Sequence, residues 1–261
     1  QAVNFGCIGC GQCAAVCPRM CIVVEGREMS AKDLIDLPPR EQRADYEQLY
    51  ALLLSRRSIR AFKDREVEEE VIQKILDAMS TAPMGLPPSE VEVLVLQGFD
   101  RVREFAEDMV KVFKSSKWLF SPVVLGILRP FMGKEVYDFM KSFAAPLPDY
   151  FSENMAQGRD MLLYGAPLAM YFHASPTSDP VDFAVAGTYA MLAAESLGLG
   201  SCMIGTIGPY LKYKNPVGKK YGIPKENNQG IMIIFGYPKY KYARGIKRTL
   251  GGVTFYQGSR G

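Results

Sequence analysis

The chain has 261 residues, 48% of them hydrophobic and 23% charged, with a formal net charge of +3. That length fits one ordinary domain plus a small appendage. The near-balanced charge gives no electrostatic case for a nucleic-acid partner, and no apolar run reaches the roughly 18 residues that a membrane-spanning helix needs. The opening QAVNFG is neither a signal peptide nor a transit peptide, and the missing Met implies further residues upstream.

Five of the six cysteines lie within the first twenty-one positions, so a disulfide scaffold is a poor account of them. The spacing is Cys7-x2-Cys10-x2-Cys13-x3-Cys17-Pro18, which resembles the bacterial ferredoxin run. Each two-residue gap turns successive sulfurs toward one cubane, and Gly9 and Gly11 permit the tight backbone. Amide N–H groups aimed at the sulfurs then lower the cost of the cluster's negative charge. Zinc is the alternative, and four cysteines in so short a run before a proline suit it poorly. Cys7, Cys10, Cys13 and Cys17 are the expected ligands of a 4Fe-4S cluster. In two-cluster ferredoxins the cysteine before proline reaches the other cluster, so one or two clusters remain open. Cys21 reads as a small packing residue.

Residues 1–30 thus form a ferredoxin-like module, and the charged stretch 31–45, with Pro38-Pro39, a linker. Leu49, Leu52 and Leu53 recur at helical spacing from Tyr46 onward. A second helix is predicted over about 67–79, with Val71, Ile72, Ile75, Leu76 and Met79 on one face. VEVLVL (91–96), LAMYFH (168–173) and IMIIFG (231–236) read as strands, the last two buried on both faces. Helical patterns lie between them at about 101–114, 134–143, 152–163 and 183–197. In the last of these Ala186, Ala190 and Ala194 make a small-residue face, central in the fold or at a subunit interface. The sum is α+β: a few strands wrapped by many helices. Cys202 reads as a buried filler, and His173, the sole histidine, as a core or strand-end residue.

SRRSIRAF (55–62) places three arginines and two hydroxyls beside an apolar run, a pattern suited to bidentate recognition of phosphate. With APMG (82–85), GAPLAMYFH (165–173), LGLGSCMIG (197–205) and IFGYP (234–238) following in order, residues 46–250 resemble the FMN-dependent nitroreductases. The whole chain is similar to ferredoxin–nitroreductase fusions, with the flavin domain at 46–261. The resemblance implies a nitroreductase-like fold, a central mixed sheet wrapped by helices, in a homodimer with FMN at the subunit interface. It implies that Arg56, Arg57, Ser58 and Arg60 hold the phosphate and ribityl chain, with Lys247 and Arg248, or Arg244 nearby, completing the site. Met203, Ile204, Gly205 and Thr206 would pack over the ring, the Gly205 backbone N–H donating to flavin N5.

Two departures from the family pattern stand out. APMGLPPSEV lacks the polar residues usual after AP: Pro83, Met84 and Gly85 could line the partner's cofactor through backbone groups, and Pro87 replaces an Asn. Residues 115–160 are long and aromatic, with Trp118, Phe120, Phe131, Tyr137, Phe139, Phe143, Tyr150 and Phe151, and read either as extra core helices or as a lid. The expected activity is electron transfer from the cluster, a ferredoxin or NAD(P)H, through FMN, to a nitroaromatic, quinone or enone. No residue need act as acid or base. The rival expectations are an electron-transfer subunit without turnover of its own and a flavin-destroying or dehalogenating relative. An oxygen-sensitive cluster implies a cytoplasmic setting.

Overall fold

The computed structural model describes residues 10–24, 34–85, 90–213, 215–227 and 230–256. Four strands, β1 (Val91–Gln97), β2 (Leu168–Ala174), β3 (Gly200–Ile204) and β4 (Ile231–Gly236), form one sheet in the order β1-β2-β4-β3. Every ladder in it is antiparallel. The mixed sheet expected from the sequence is corrected to that extent: among the described residues its parallel contact is one isolated bridge, Ser58 to Ser201. Three strands match the expected apolar runs. β3 does not, because its five residues are short and mixed in polarity. Pairing with β4 creates it, with Met203 opposite Ile233 and Ile204 opposite Met232.

The helices are α1 (Gln12–Ala15), α2 (Tyr46–Ser55), α3 (Glu69–Ser80), α4 (Phe99–Ser115), α5 (Pro122–Leu128), α6 (Lys134–Phe139), α7 (Leu147–Ala156), α8 (Asp182–Ser196), α9 (Ile207–Tyr213) and α10 (Asn215–Lys220). α2 starts where it does because of a capping box. The Asp45 carboxylate accepts from the Gln48 N–H at 2.8 Å, and the Gln48 side chain accepts from the Asp45 N–H at 3.1 Å. Two helix boundaries differ from the expected ones. The helix expected over 134–143 ends at Phe139 and continues as a π turn over Met140–Ala144. The helix expected over 152–163 is α7, shifted toward the N-terminus. Gly158, at φ 79°, ends its path, and the Asp160 carboxylate then draws the chain into an irregular loop by accepting from Leu162 and Leu163 N–H at 2.9 and 2.8 Å.

The sheet is packed on both faces, which explains its continuous apolar strands. On one face Leu168, Met170 and Phe172 of β2, with Ile233 and Phe235 of β4, meet α3 and α8. On the other, Ala169 and Tyr171, with Met232 and Ile234, meet α4, α7 and α9. The alternation is the period-two geometry of a strand. The small face of α8 lies against the sheet: a Cβ on Gly187 would come within 2.7 Å of Ile233 Cδ1. Of the two roles open to this helix, the central one is therefore what its small residues serve. Most of the aromatic segment 115–160 is not core. Phe151 is buried, but Trp118, Phe131, Phe139 and Phe143 are all exposed, which overturns the expectation of extra core helices there.

His173 is buried in β2, stacked on Tyr171, and its Nδ1 lies 2.7 Å from Asn227 Nδ2. The expected core role is correct. Burial pushes its pKa below the ordinary value of 6.5, with Glu92 opposing. The unfolded chain therefore binds the extra proton first. Stability should fall as pH drops through 6.5 and level off below the folded pKa, with no contribution above that range. Urea midpoints measured on both sides of this value check it, and His173→Gln should lose that part of the slope.

Candidate functional site

The arginine segment follows directly from the end of α2. Ser55 Oγ donates to the Leu52 carbonyl at 2.9 Å, and Arg56 leaves the helix with extended backbone, φ −62° and ψ 130°. Extended chain cannot bond to itself, so it needs a partner. The Ile59 N–H donates to the Ser201 carbonyl at 2.9 Å, at the free edge of β3. The Ile59 side chain is 2% exposed and sits over Gly200, where a Cβ would lie 2.6 Å from it. Beyond it, Lys63 N–H donates to Tyr237 O at 2.8 Å and Lys239 N–H to Ala61 O at 3.0 Å. The segment is thereby clamped between β3 and the chain leaving β4.

The C-terminal stretch returns across the same place. The Arg57 guanidinium lies 4.0 Å from the Tyr242 ring centroid, and a Cβ on Gly245 would come within 2.8 Å of Leu54. This close passage brings Arg248 to the bend. Ser55, Arg56, Arg57, Gly245 and Arg248 line a cavity of about 180 Å³. An adjoining cavity of about 660 Å³ takes in Arg57, Lys63, Lys241 and Arg244, with Glu195 the one acid on its wall. Of the residues expected at the phosphate site, Arg56, Arg57 and Arg248 are brought together, and Arg244 lies next door. Lys247 and Ser58 are exposed and line neither space, the Ser58 backbone pairing with Ser201. Arg60 points elsewhere, with its guanidinium 5.7 Å from the Tyr164 ring centroid.

Met203 and Gly205 are exposed at the end of β3, and Thr206 partly so. Space above Gly205 is open: nothing lies within 4 Å of where its Cβ would be. A planar ring has room there. Ile204 is 8% exposed and turned into the core, so its backbone alone can face a ligand. From Ser201, where the arginine segment docks, the strand advances about 13 Å to Gly205. The residues present therefore fit FMN, with cations at one end and an open platform at the other.

Pro83, Met84 and Gly85 lie at the far end of α8. The Gly85 N–H donates to both oxygens of Asp182, at 3.0 and 3.2 Å, and Asp182 is 7% exposed. Glu195 and Gly198, at the other end of that helix, line the cavity beside Arg57. The helix runs about 22 Å for its fifteen residues. One chain thus does not bring its APMG loop to its own arginine bend. Pro87 lies outside the described residues. Cys202 and His173 form no dyad either: Cys202 is fully buried, as expected of a filler, and pairs with Ile234, which pairs with Ala169, four residues along β2 from His173.

At the N-terminus, Gly11 takes a left-handed φ of 71° before α1, which carries Cys13. Cys10, Cys13 and Cys21 are exposed and Cys17 is half-buried. Cys21 is therefore not the packing residue expected, because that short segment buries little besides Ala14 and Val24. Its sulfur lies 3.6 Å from that of Cys17. Among the described residues no three His, Cys, Asp or Glu side chains converge as ligands, and Cys7 lies outside those residues. As donors, soft thiolates suit an iron–sulfur cluster. Asp160, Tyr164, Asp182 and Tyr242 had no signal in the sequence, since each acts through a partner distant along the chain or through backbone geometry.

The nitroreductase family model matches residues 53–237. The chain belongs to that family. It is 28% identical over 191 residues to an FMN reductase [NAD(P)H] of Bacillus subtilis (strain 168), which covers 73% of this chain and 60% of that protein. The chain thus spans less than two thirds of that relative's length. Two solved nitroreductases with bound FMN share the fold. One, from Bacteroides fragilis NCTC 9343, has a TM-score of 0.58 at 19% identity, covering 80% of this chain and 99% of that one. The other, from Desulfitobacterium hafniense DCB-2, has a TM-score of 0.53 at 20% identity, covering 80% and 97%.

The Asp182 contact is the clearest local anchor outside the arginine bend. Asp182→Ala should cost about 1.5–3 kcal/mol, the range for hydrogen bonds to a charged group, and should speed amide exchange at Gly85. Urea unfolding and hydrogen exchange measure the two effects.

Proposed function

We propose that this nitroreductase-family chain is a flavin-dependent oxidoreductase that binds FMN between the arginine bend and the open end of β3. It would carry electrons from NAD(P)H or an iron–sulfur partner to a small organic acceptor such as a nitroaromatic, quinone or enone. The observation that carries the reading is the convergence of Arg56, Arg57 and Arg248 on a small cavity, in a segment docked on β3, the strand whose end exposes Met203 and Gly205. Bound there, FMN supplies hydride and single-electron chemistry at its ring. The chain's own task is to hold and orient. The arginine forks would hold the phosphate oxygens, the Gly205 backbone N–H would be the donor to the ring, and exposed Met203 would give an apolar shelf.

A homodimer is part of this reading. Two exposed apolar surfaces support it: Tyr46, Leu49 and Tyr50 on α2, and Leu250, Phe255 and Tyr256 in the C-terminal stretch. The distance between the APMG loop and its own arginine bend points the same way, since a second copy can bring its loop where the first cannot. Among the described residues no helix is long and apolar enough to cross a membrane. An iron–sulfur module held by Cys7, Cys10, Cys13 and Cys17, ahead of a linker ending near Asp45, fits a reducing cytoplasm.

Arg56→Ala combined with Arg248→Ala should weaken FMN binding on the order of a hundredfold, two charge-assisted contacts being lost. Riboflavin, which lacks the phosphate, should bind the variant and the parent alike. Flavin fluorescence titration reads both, and an unchanged FMN affinity refutes the phosphate assignment. Protein prepared without oxygen should hold about four irons per cluster. Cys17→Ser should lower that iron content and Cys21→Ser should leave it; the reverse pattern would move the fourth ligand to Cys21.

A further inference from the structure

Tyr164 has backbone that a tyrosine rarely adopts. Its φ is +58°, followed by Gly165 at +59°. A non-glycine residue in the left-handed region costs energy and persists only where its surroundings hold it. Here the holder is Asp160. Its buried carboxylate accepts from the Leu162 and Leu163 N–H groups through one oxygen and from Gly165 N–H at 3.2 Å through the other. Three amides converge on one acid and fix the loop on both sides of Tyr164.

The fixed ring is half-buried against the core and faces Arg60 across 5.7 Å, within cation–π range. The phenol also lies within electrostatic reach of Cys202 in β3 and of Tyr150 in α7, and burial raises its pKa while Arg60 opposes the rise. The hydroxyl thus stays neutral and offers Arg60 a polar neighbour that does not cancel its charge. Arg57 and Arg60 leave the bend in different directions, one to the Tyr242 ring and one to the Tyr164 ring. Two of the bend's three arginines are therefore each held by an aromatic ring. Only the Arg57 position opens onto the phosphate-sized cavity.

We infer that Tyr164 is a positioning residue that holds the Arg60 guanidinium away from the phosphate-sized cavity, on the Cys202 side of the bend, where it would act on the ring of a bound flavin rather than on its phosphate. The inference rests on FMN occupying the site proposed above. Hydride transfer from NAD(P)H adds two electrons and one proton to the ring and leaves it with one more negative charge; the nicotinamide departs oxidised. A cation held near the ring favours that reduced form over the oxidised one. Without Tyr164, the exposed Arg60 side chain loses the ring that fixes it, and the preference fades.

The test compares the affinities of oxidised and reduced FMN, whose ratio sets the bound midpoint potential. Tyr164→Leu should shift that ratio about tenfold against the reduced form, equal to about 30 mV for a two-electron couple, and should change oxidised FMN binding less than about threefold. Tyr164→Phe keeps the ring and should shift the ratio less, in the same direction. In an Arg60→Met background both shifts should vanish, because Tyr164 acts through Arg60. A ratio unchanged in both single variants overturns the inference, and so does the same shift with Arg60 absent, which marks a structural role. If Tyr164→Leu fails to fold, the Tyr164→Phe shift with and without Arg60 decides between the same outcomes. Parent protein that binds FMN with phosphate dependence but shows no such coupling refutes this inference alone, whereas parent protein that refuses FMN refutes the site as well.

Discussion

The site depends on one docking event, the extended chain after α2 pairing with the edge of β3. The Ile59 N–H finds the Ser201 carbonyl, and the Ile59 side chain fills the space that Gly200 leaves empty. An unpaired strand edge is costly when buried and sticky when exposed. Covering it with the arginine-bearing segment satisfies the edge and fixes the arginines in the same step. The hydrogen bond and the apolar contact come from neighbouring residues, so the segment has little freedom to slide. Sliding by one residue would exchange the faces that Arg57 and Arg60 take.

From that clamp the remaining parts take their places. The chain leaving β4 runs back alongside Ala61 and Lys63, then over Leu54, and so delivers Arg248 to Arg56. Aromatic rings stand against the guanidinium groups, which suits planar, weakly hydrated cations better than it would lysines. α8 spans the molecule beneath, with its small face on the sheet. Its N-terminus holds the APMG loop through Asp182, and its C-terminal end borders the arginine bend. The same helix that unites the fold thus keeps the two halves of the expected site apart within one chain.

Much of this was legible in the residues. Apolar runs at 91–96, 168–173 and 231–236 became strands because burial on both faces leaves no other option for such segments. The amphipathic pattern at 67–79 became α3. Arg56 and Arg57 were recognisable by density of charge next to apolar residues, and Cys202 and His173 are buried as their types and places suggested. The errors share a cause. β3 has no strand-like composition and exists through its partner β4. α7 ends early because Asp160 captures amides two to five residues ahead, an event no periodicity reveals. Cys21 was judged by its type, whereas its exposure depends on how little core that short segment has.

The sequence by itself determined the class of the fold, three of its four strands and its longer helices in chain order, the family, and the presence of a cationic bend and a thiolate run. These follow from local composition and spacing, which every folded arrangement must respect. Tertiary structure alone decided which arginines converge, that Arg60 parts company with Arg56 and Arg57, that Asp160 holds Tyr164 in a strained backbone, and that the APMG loop lies a helix length away. Those outcomes turn on contacts between residues far apart in the chain, whose geometry is set only once the sheet edge has been covered and the core has closed around it.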